Sequence, residues 1–164
     1  MPVTYDNIAT TTLGSSVAAI DFTSIPATYT DLRLVLVGTV NTAGVFPLVR
    51  YNNNNATNYS MTYVAGNGST AYSSRNSNAT YFAPFEVNGM SDTVPQIITM
   101  DIFSYAGSTN KTTLMTTSGD KNGSGDVERY VCLWRNTSAI TSVKLDASNW
   151  NSGTTATLYG IKNA

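Results

Sequence analysis

The stretch DLRLVLVG (residues 31–38) decides the fold. Leu32, Leu34 and Leu36 recur at every second position, with Arg33, Val35 and Val37 between them. Side chains along an extended strand point alternately to opposite faces, so this spacing places the three leucines together on one face. The same period returns along the chain. In IITMDIFSY (97–105), Ile98, Met100 and Ile102 point one way, while Thr99 and Asp101 point to the outer face. In SVKLD (142–146), Val143 and Leu145 alternate with Lys144. In VERYVCLW (127–134), Glu128, Tyr130, Cys132 and Trp134 share one face, and Val127, Arg129, Val131 and Leu133 share the other.

Further strands are predicted at VAAIDF (17–22), FPLVRYN (46–52), YSMTYVA (59–65), TYFAPFEV (80–87), TTLMTT (112–117) and TATLYGIK (155–162). Clusters of Gly, Asn, Ser and Pro separate them, as turns require. No helical stripe exceeds a turn or two; PATYTD (26–31) reads as a single helical turn. About ten short strands with frequent turn signals predict an all-β fold, an antiparallel β-sandwich of jelly-roll-like form. Residues 1–164 read as one domain, with 1–10 as an N-terminal arm and 66–79 (GNGSTAYSSRNSNA) as a long exposed loop.

Composition narrows the function. Charged residues make up only 12% of the chain, about half the usual share, and Thr, Ser, Asn and Gly replace them. Such surfaces suit contact with proteins or sugars. No run of Lys or Arg exists to neutralise a phosphate backbone, so no nucleic-acid partner is expected. No apolar run is long enough for a membrane-spanning helix, and MPVTYDNIAT lacks the features of a secretory signal. The chain has no histidine and a single cysteine, Cys132. This removes the commonest general base and the ligand sets of zinc and copper sites. No G-x-S-x-G elbow is present, and no carboxylate pair sits in a clearly apolar setting. No enzyme activity, catalytic residue or cofactor is therefore expected. Cys132, between Tyr130 and Trp134 on a strand, reads as a small buried hydrophobe.

One segment resembles a metal loop. SGDKNGSGDVE (118–128) carries oxygen-bearing side chains at Asp120, Asn122, Ser124, Asp126 and Glu128. Calcium takes six to eight oxygens, and an EF-type loop draws them from positions 1, 3, 5, 7, 9 and 12 with Gly at 6. Counting from Asp120, Gly125 falls at position 6 and Glu128 at position 9, but position 12 is Val131. The flanks are strand-like, not helical. The favoured reading is no metal, with these residues forming a glycine-rich hairpin turn that satisfies its own backbone. Tyr51, Tyr59, Tyr63, Tyr72, Tyr81 and Tyr105 lie in or beside loops and strand ends, where aromatic rings either pack at sheet edges and subunit contacts or stack on sugars.

Four segments in order carry a resemblance: YDNIATTTLGSSVAAIDFTSIPATYTDLRLVLVG (5–38), RYNNNNATNYSMTYVAGNGS (50–69), IFSYAGSTNKT (102–112) and LWRNTSAITSVKLDASNWNSGTTATLYGIKNA (133–164). Together they resemble a family of bacteriophage virion structural proteins found in phages of aquatic bacteria. The resemblance implies a β-sandwich displayed on the virion, with no catalytic motif to carry over. The resulting expectation is a capsid decoration or cement protein, located on the capsid surface and acting as a trimer. Its partners would be the major capsid protein or other virion proteins. The alternative is a tail-fibre or receptor-binding protein that recognises host surface glycan.

Overall fold

The computed structural model describes residues 4–162. Among the described residues there are eleven strands and no helix: β1 Tyr5–Thr12, β2 Val17–Phe22, β3 Asp31–Gly38, β4 Leu48–Tyr51, β5 Tyr59–Gly66, β6 Ala71–Ala79, β7 Gln96–Phe103, β8 Lys111–Asp120, β9 Gly125–Trp134, β10 Val143–Trp150 and β11 Thr155–Ile161. All pairings are antiparallel. One sheet has eight strands in the order β1-β11-β3-β7-β8-β9-β5-β6, and the other has three in the order β2-β10-β4. The chain is an all-β sandwich of unequal layers. The strands divide eight to three, so the jelly-roll part of the expectation is not carried by this order.

The alternating pattern sets the layers. Leu32, Leu34 and Leu36 of β3, Ile98, Met100 and Ile102 of β7, and Tyr130, Cys132 and Trp134 of β9 are all fully buried on the inner face of the large sheet. Val143 and Leu145 of β10 and Val49 and Tyr51 of β4 meet them from the small sheet. Tyr51 ties the layers directly. Its hydroxyl pairs with Thr113 Oγ1 of β8 at 2.7 Å, and its ring stands edge-on to Trp134 with centroids 5.6 Å apart. Edge-to-face rings of this kind add to the burial of the aromatic surface itself.

Three local expectations change. Residues 66–79, read as a loop, contain strand β6, which pairs with β5 along its length. The turn between them is held by Asn67, whose Oδ1 accepts from the Ser69 and Thr70 N–H groups, with Gly68 at φ +88°. The strand was illegible because Ala71–Asn78 are exposed on both faces, so nothing selects an apolar alternation. Residues 80–87, read as a strand, are irregular beyond a single bridge between Phe82 and Val49. Pro84 and the left-handed Phe85 (φ 64°) break the ladder. Residues 27–30 form a turn and bends that lead into β3 at Asp31, not a helical turn, because their N–H groups have distant partners: Tyr29 N–H donates to the Tyr105 hydroxyl and Thr30 N–H to Ile161 O.

The arm expected over 1–10 is, from Tyr5 onward, the edge strand β1, bulged between Asn7 and Ala9 and paired with β11; residues 1–3 of that expectation lie outside the described residues. Two close approaches hold the β11–β3 region. A Cβ on Gly38 would overlap the Thr154 side chain, and one on Gly160 would overlap the Tyr29 ring. Gly160→Ala is therefore expected to destabilise the fold by about 1–3 kcal/mol, as overpacking does. Denaturant unfolding checks this, and an unchanged midpoint would show that Tyr29 yields freely.

Candidate functional site

The segment 118–128 spans the end of β8, a tight turn and the start of β9. At the turn the Asp120 carboxylate accepts the Asn122 N–H at 2.7 Å, and the Lys121 N–H donates to Ser124 O at 2.7 Å. Asn122 (φ 54°) and Gly123 (φ 116°) supply the left-handed backbone. Strand alternation then separates the five candidate calcium ligands. Asp120, Asn122 and Ser124 are exposed, whereas Asp126 and Glu128 are buried on the inner face. The series divides because Asp126 and Glu128 fall two residues apart on β9, in the same row as Tyr130. No group of three or more His, Cys, Asp or Glu able to hold a metal ion is gathered among the described residues.

The row Asp126, Glu128, Tyr130 does something else. It fastens three consecutive residues of the irregular 80–95 segment to the sheet. Glu86 N–H donates to the Tyr130 hydroxyl at 3.1 Å, Val87 N–H to Glu128 Oε1 at 2.8 Å, and Asn88 Nδ2 to Asp126 Oδ2 at 2.9 Å. Glu128 also accepts from Thr117 Oγ1 at 3.0 Å and from the Tyr130 hydroxyl. A fully buried carboxylate with three donors is a satisfied one. Asp126 is less complete, since its Oδ1 is buried with no hydrogen-bond partner. Burial raises the Asp126 carboxyl above the ordinary range, and burial together with the nearby Glu128 charge raises that of Glu86.

Other candidates settle as core. Burial pushes the Cys132 thiol far up, so it stays protonated and inert. Tyr51, Tyr59 and Tyr105 are fully buried, which removes them as sugar platforms; Tyr63 and Tyr81 are half-buried and Tyr72 is exposed. Asp101 lies on the outer face as expected, bonded to Arg33 at 2.8 Å. Pattern reading missed Lys111, whose fully buried ammonium donates to the carbonyls of Gly107, Thr109 and Thr137. Burial lowers its pKa. A lysine flanked by Asn and Thr offers no sign in sequence that loop carbonyls will enclose it.

An open cleft of about 690 Å³ lies at the turn end of β8–β9. Gly66–Gly68, Pro95–Ile97, Ser118–Asp120 and Gly123–Val127 line it, with Val37. The chain matches no known protein family, no curated protein and no solved structure.

The raised Asp126 carboxyl gives a pH signature. Its folded pKa lies above its unfolded value, so its contribution to stability is full in acid and is lost as pH rises through and just above the ordinary carboxylate range. Asp126→Asn keeps an acceptor for Asn88 and removes the buried charge. The variant is expected to melt at a higher temperature than the parent at neutral pH, with the difference vanishing in acid. Thermal melts across a pH series measure it; a pH-independent difference would reject the assignment.

Proposed function

We propose that this chain is a bacteriophage virion structural protein, a capsid decoration protein that binds the outer shell and stabilises contacts between capsomers. The observation that carries the reading is the outer face of the eight-stranded sheet. Val37, Ile97, Ser118 and Val127 form one cross-strand line over β3, β7, β8 and β9. Val131 and Leu114 form part of the next but one, and Val64 of β5 lies opposite Arg129. Val64 and Val127 are each 60% exposed and Val131 49%. Contiguous exposed apolar residues on a sheet face mark an interaction surface.

The outer face of the small sheet carries Asp21, Arg50, Lys144 and Asp146, with ion pairs Arg50–Asp146 and Lys144–Asp146 at 2.7 and 3.1 Å. The outer face of the large sheet combines Val and Thr with the Arg33–Asp101 pair at 2.8 Å and the exposed Arg129. Strand β6 adds a second contact element, since its free edge offers unpaired backbone groups over nine residues with no Pro and a single charge, Arg75, whose Nε is turned to Thr62 of β5. The ordered sequence segments that resemble virion proteins point the same way. Many modest contacts of this kind add through effective concentration, and the mechanism involves no catalysis. The partner is the major capsid protein, and a trimer is the natural unit at a three-fold position.

Cryo-microscopy of the intact virion tests the reading. Density for the sandwich on the shell is expected; density on the tail alone would overturn it in favour of the receptor-binding alternative. A second test uses Val131→Glu. The fold should lose no more than about 1 kcal/mol, because the position faces out. Retention on purified capsids should fall sharply, and undiminished retention would show that another surface makes the contact.

A further inference from the structure

Three Asn-Gly pairs occur in the chain: Asn67–Gly68, Asn88–Gly89 and Asn122–Gly123. Asparagine is chemically labile, and a glycine after it leaves the next backbone nitrogen unshielded by any Cβ. Reaction between the two needs freedom on both sides. The carboxamide carbon must swing onto that nitrogen, and the nitrogen must be released from other bonds.

The fold treats the three pairs differently. Asn67 is anchored by its side chain. Its Oδ1 accepts from the Ser69 N–H, the Ser69 hydroxyl and the Thr70 N–H at 3.1, 3.1 and 2.8 Å, and its Nδ2 donates to the Tyr72 hydroxyl at 3.2 Å. Asn88 is anchored on both sides. Its Nδ2 donates to Asp126 Oδ2, and the Gly89 N–H donates to Phe85 O at 2.9 Å. Gly89 is also buried against the Gly44 backbone, too close for a Cβ. Asn122 and Gly123 are exposed. Among the described residues nothing bonds the Asn122 carboxamide or the Gly123 N–H; only the Asn122 N–H is held, by Asp120. Nothing stands within 4 Å of where a Gly123 Cβ would lie.

We propose that Asn122 is a self-modification site, at which the turn between β8 and β9 converts to aspartate and isoaspartate without an enzyme. The Gly123 nitrogen gives up its proton to solvent and attacks Asn122 Cγ. The N–Cγ bond forms, the Cγ–Nδ2 bond breaks, and ammonia leaves with a proton taken back from solvent. Water then opens the five-membered imide. Breaking the new N–Cγ bond gives aspartate. Breaking the bond from the same nitrogen to the Asn122 main-chain carbonyl carbon gives isoaspartate, with the chain routed through Cβ and Cγ. Water is the only co-reactant. The product carries one more carboxylate, which takes the formal net charge of −1 one unit further negative. That charge arises beside the exposed Asp120, in a turn that borders the open cleft. Isoaspartate also lengthens the main chain inside a turn closed by the Lys121 N–H on Ser124 O. The inference is independent of where on a virion the chain sits.

The test is incubation of the folded protein at mildly alkaline pH, followed by tryptic peptide mapping. Cleavage after Lys121 and Arg129 isolates residues 122–129, in which Asn122 is the sole asparagine. A steady gain of the mass difference between OH and NH2 is expected in that peptide, with isoaspartate detected by methyltransferase labelling. Asn67 and Asn88 should react at least about tenfold more slowly in the folded chain, because each must first break its hydrogen bonds. In urea-unfolded protein the three sites should react at similar rates. An unchanged 122–129 peptide in the folded protein would overturn the proposal. Folded-state rates at Asn67 or Asn88 equal to that at Asn122 would also overturn it, as would an unfolded chain that keeps the same order of rates, since local sequence and not the fold would then select the site.

Discussion

The inner face of an eight-stranded sheet is far wider than the three strands laid over it. With neighbouring strands about 4.8 Å apart, β2, β10 and β4 can cover less than half of it. The remaining apolar surface must be closed by chain that is not sheet. Segment 80–95 provides the cover, inserting Phe82, Ala83, Phe85 and Met90 into the core. An irregular segment brings backbone N–H groups that no ladder satisfies. Tyr130 and Glu128 meet that demand at the Glu86 and Val87 N–H groups, and Asp126 holds the Asn88 side chain beside them. Two of the three acidic residues that suggest metal chemistry in sequence, Asp126 and Glu128, are thus fasteners for a loop.

The same imbalance shapes the outside. The large sheet extends beyond the small one at β6, where nothing covers either face and every residue to Asn78 is exposed. At the opposite edge β1 is bulged and tied to β11. Inside the sandwich, the buried charges of Lys111 and Glu128 are met by local carbonyls and donors and not by ion pairs. Lys111 finds three carbonyls, and Glu128 finds three donors. Removing a partner from such a group leaves an uncompensated buried charge, which is why both sites depend on well-ordered neighbouring loops.

Strands with one buried face were plain from the residues. The leucines of β3, the Ile-Met-Ile row of β7 and the alternation of β9 fell on the faces their spacing implied. Even the burial of Glu128 was implicit, because it shares a face with Tyr130, Cys132 and Trp134. The polar strand β6 and the apolar non-strand at 80–87 were misread for one reason. Periodicity reports burial on one side, so a strand exposed on both faces looks like loop, and a coil buried in a core looks like strand. The turn at 120–125 was legible as a turn through its Asp, Asn and Gly residues. The cleft beside it was not, because Gly66–Gly68, Pro95–Ile97 and Ser118–Val127 are distant in sequence and meet only through sheet register.

The alternation of apolar residues and the Gly, Asn, Ser and Pro clusters between them were enough to establish an all-β chain, and composition was enough to establish an exterior short of charge. Those are properties of single strands, set by the two-residue repeat of the extended backbone. The eight-to-three division of strands, the fastening of residues 86–88 and the packing of the Gln96 amide over Gly119 come from pairing between distant segments. Strand order and register are fixed by which apolar faces can cover one another, and that complementarity is a property of the assembled layers.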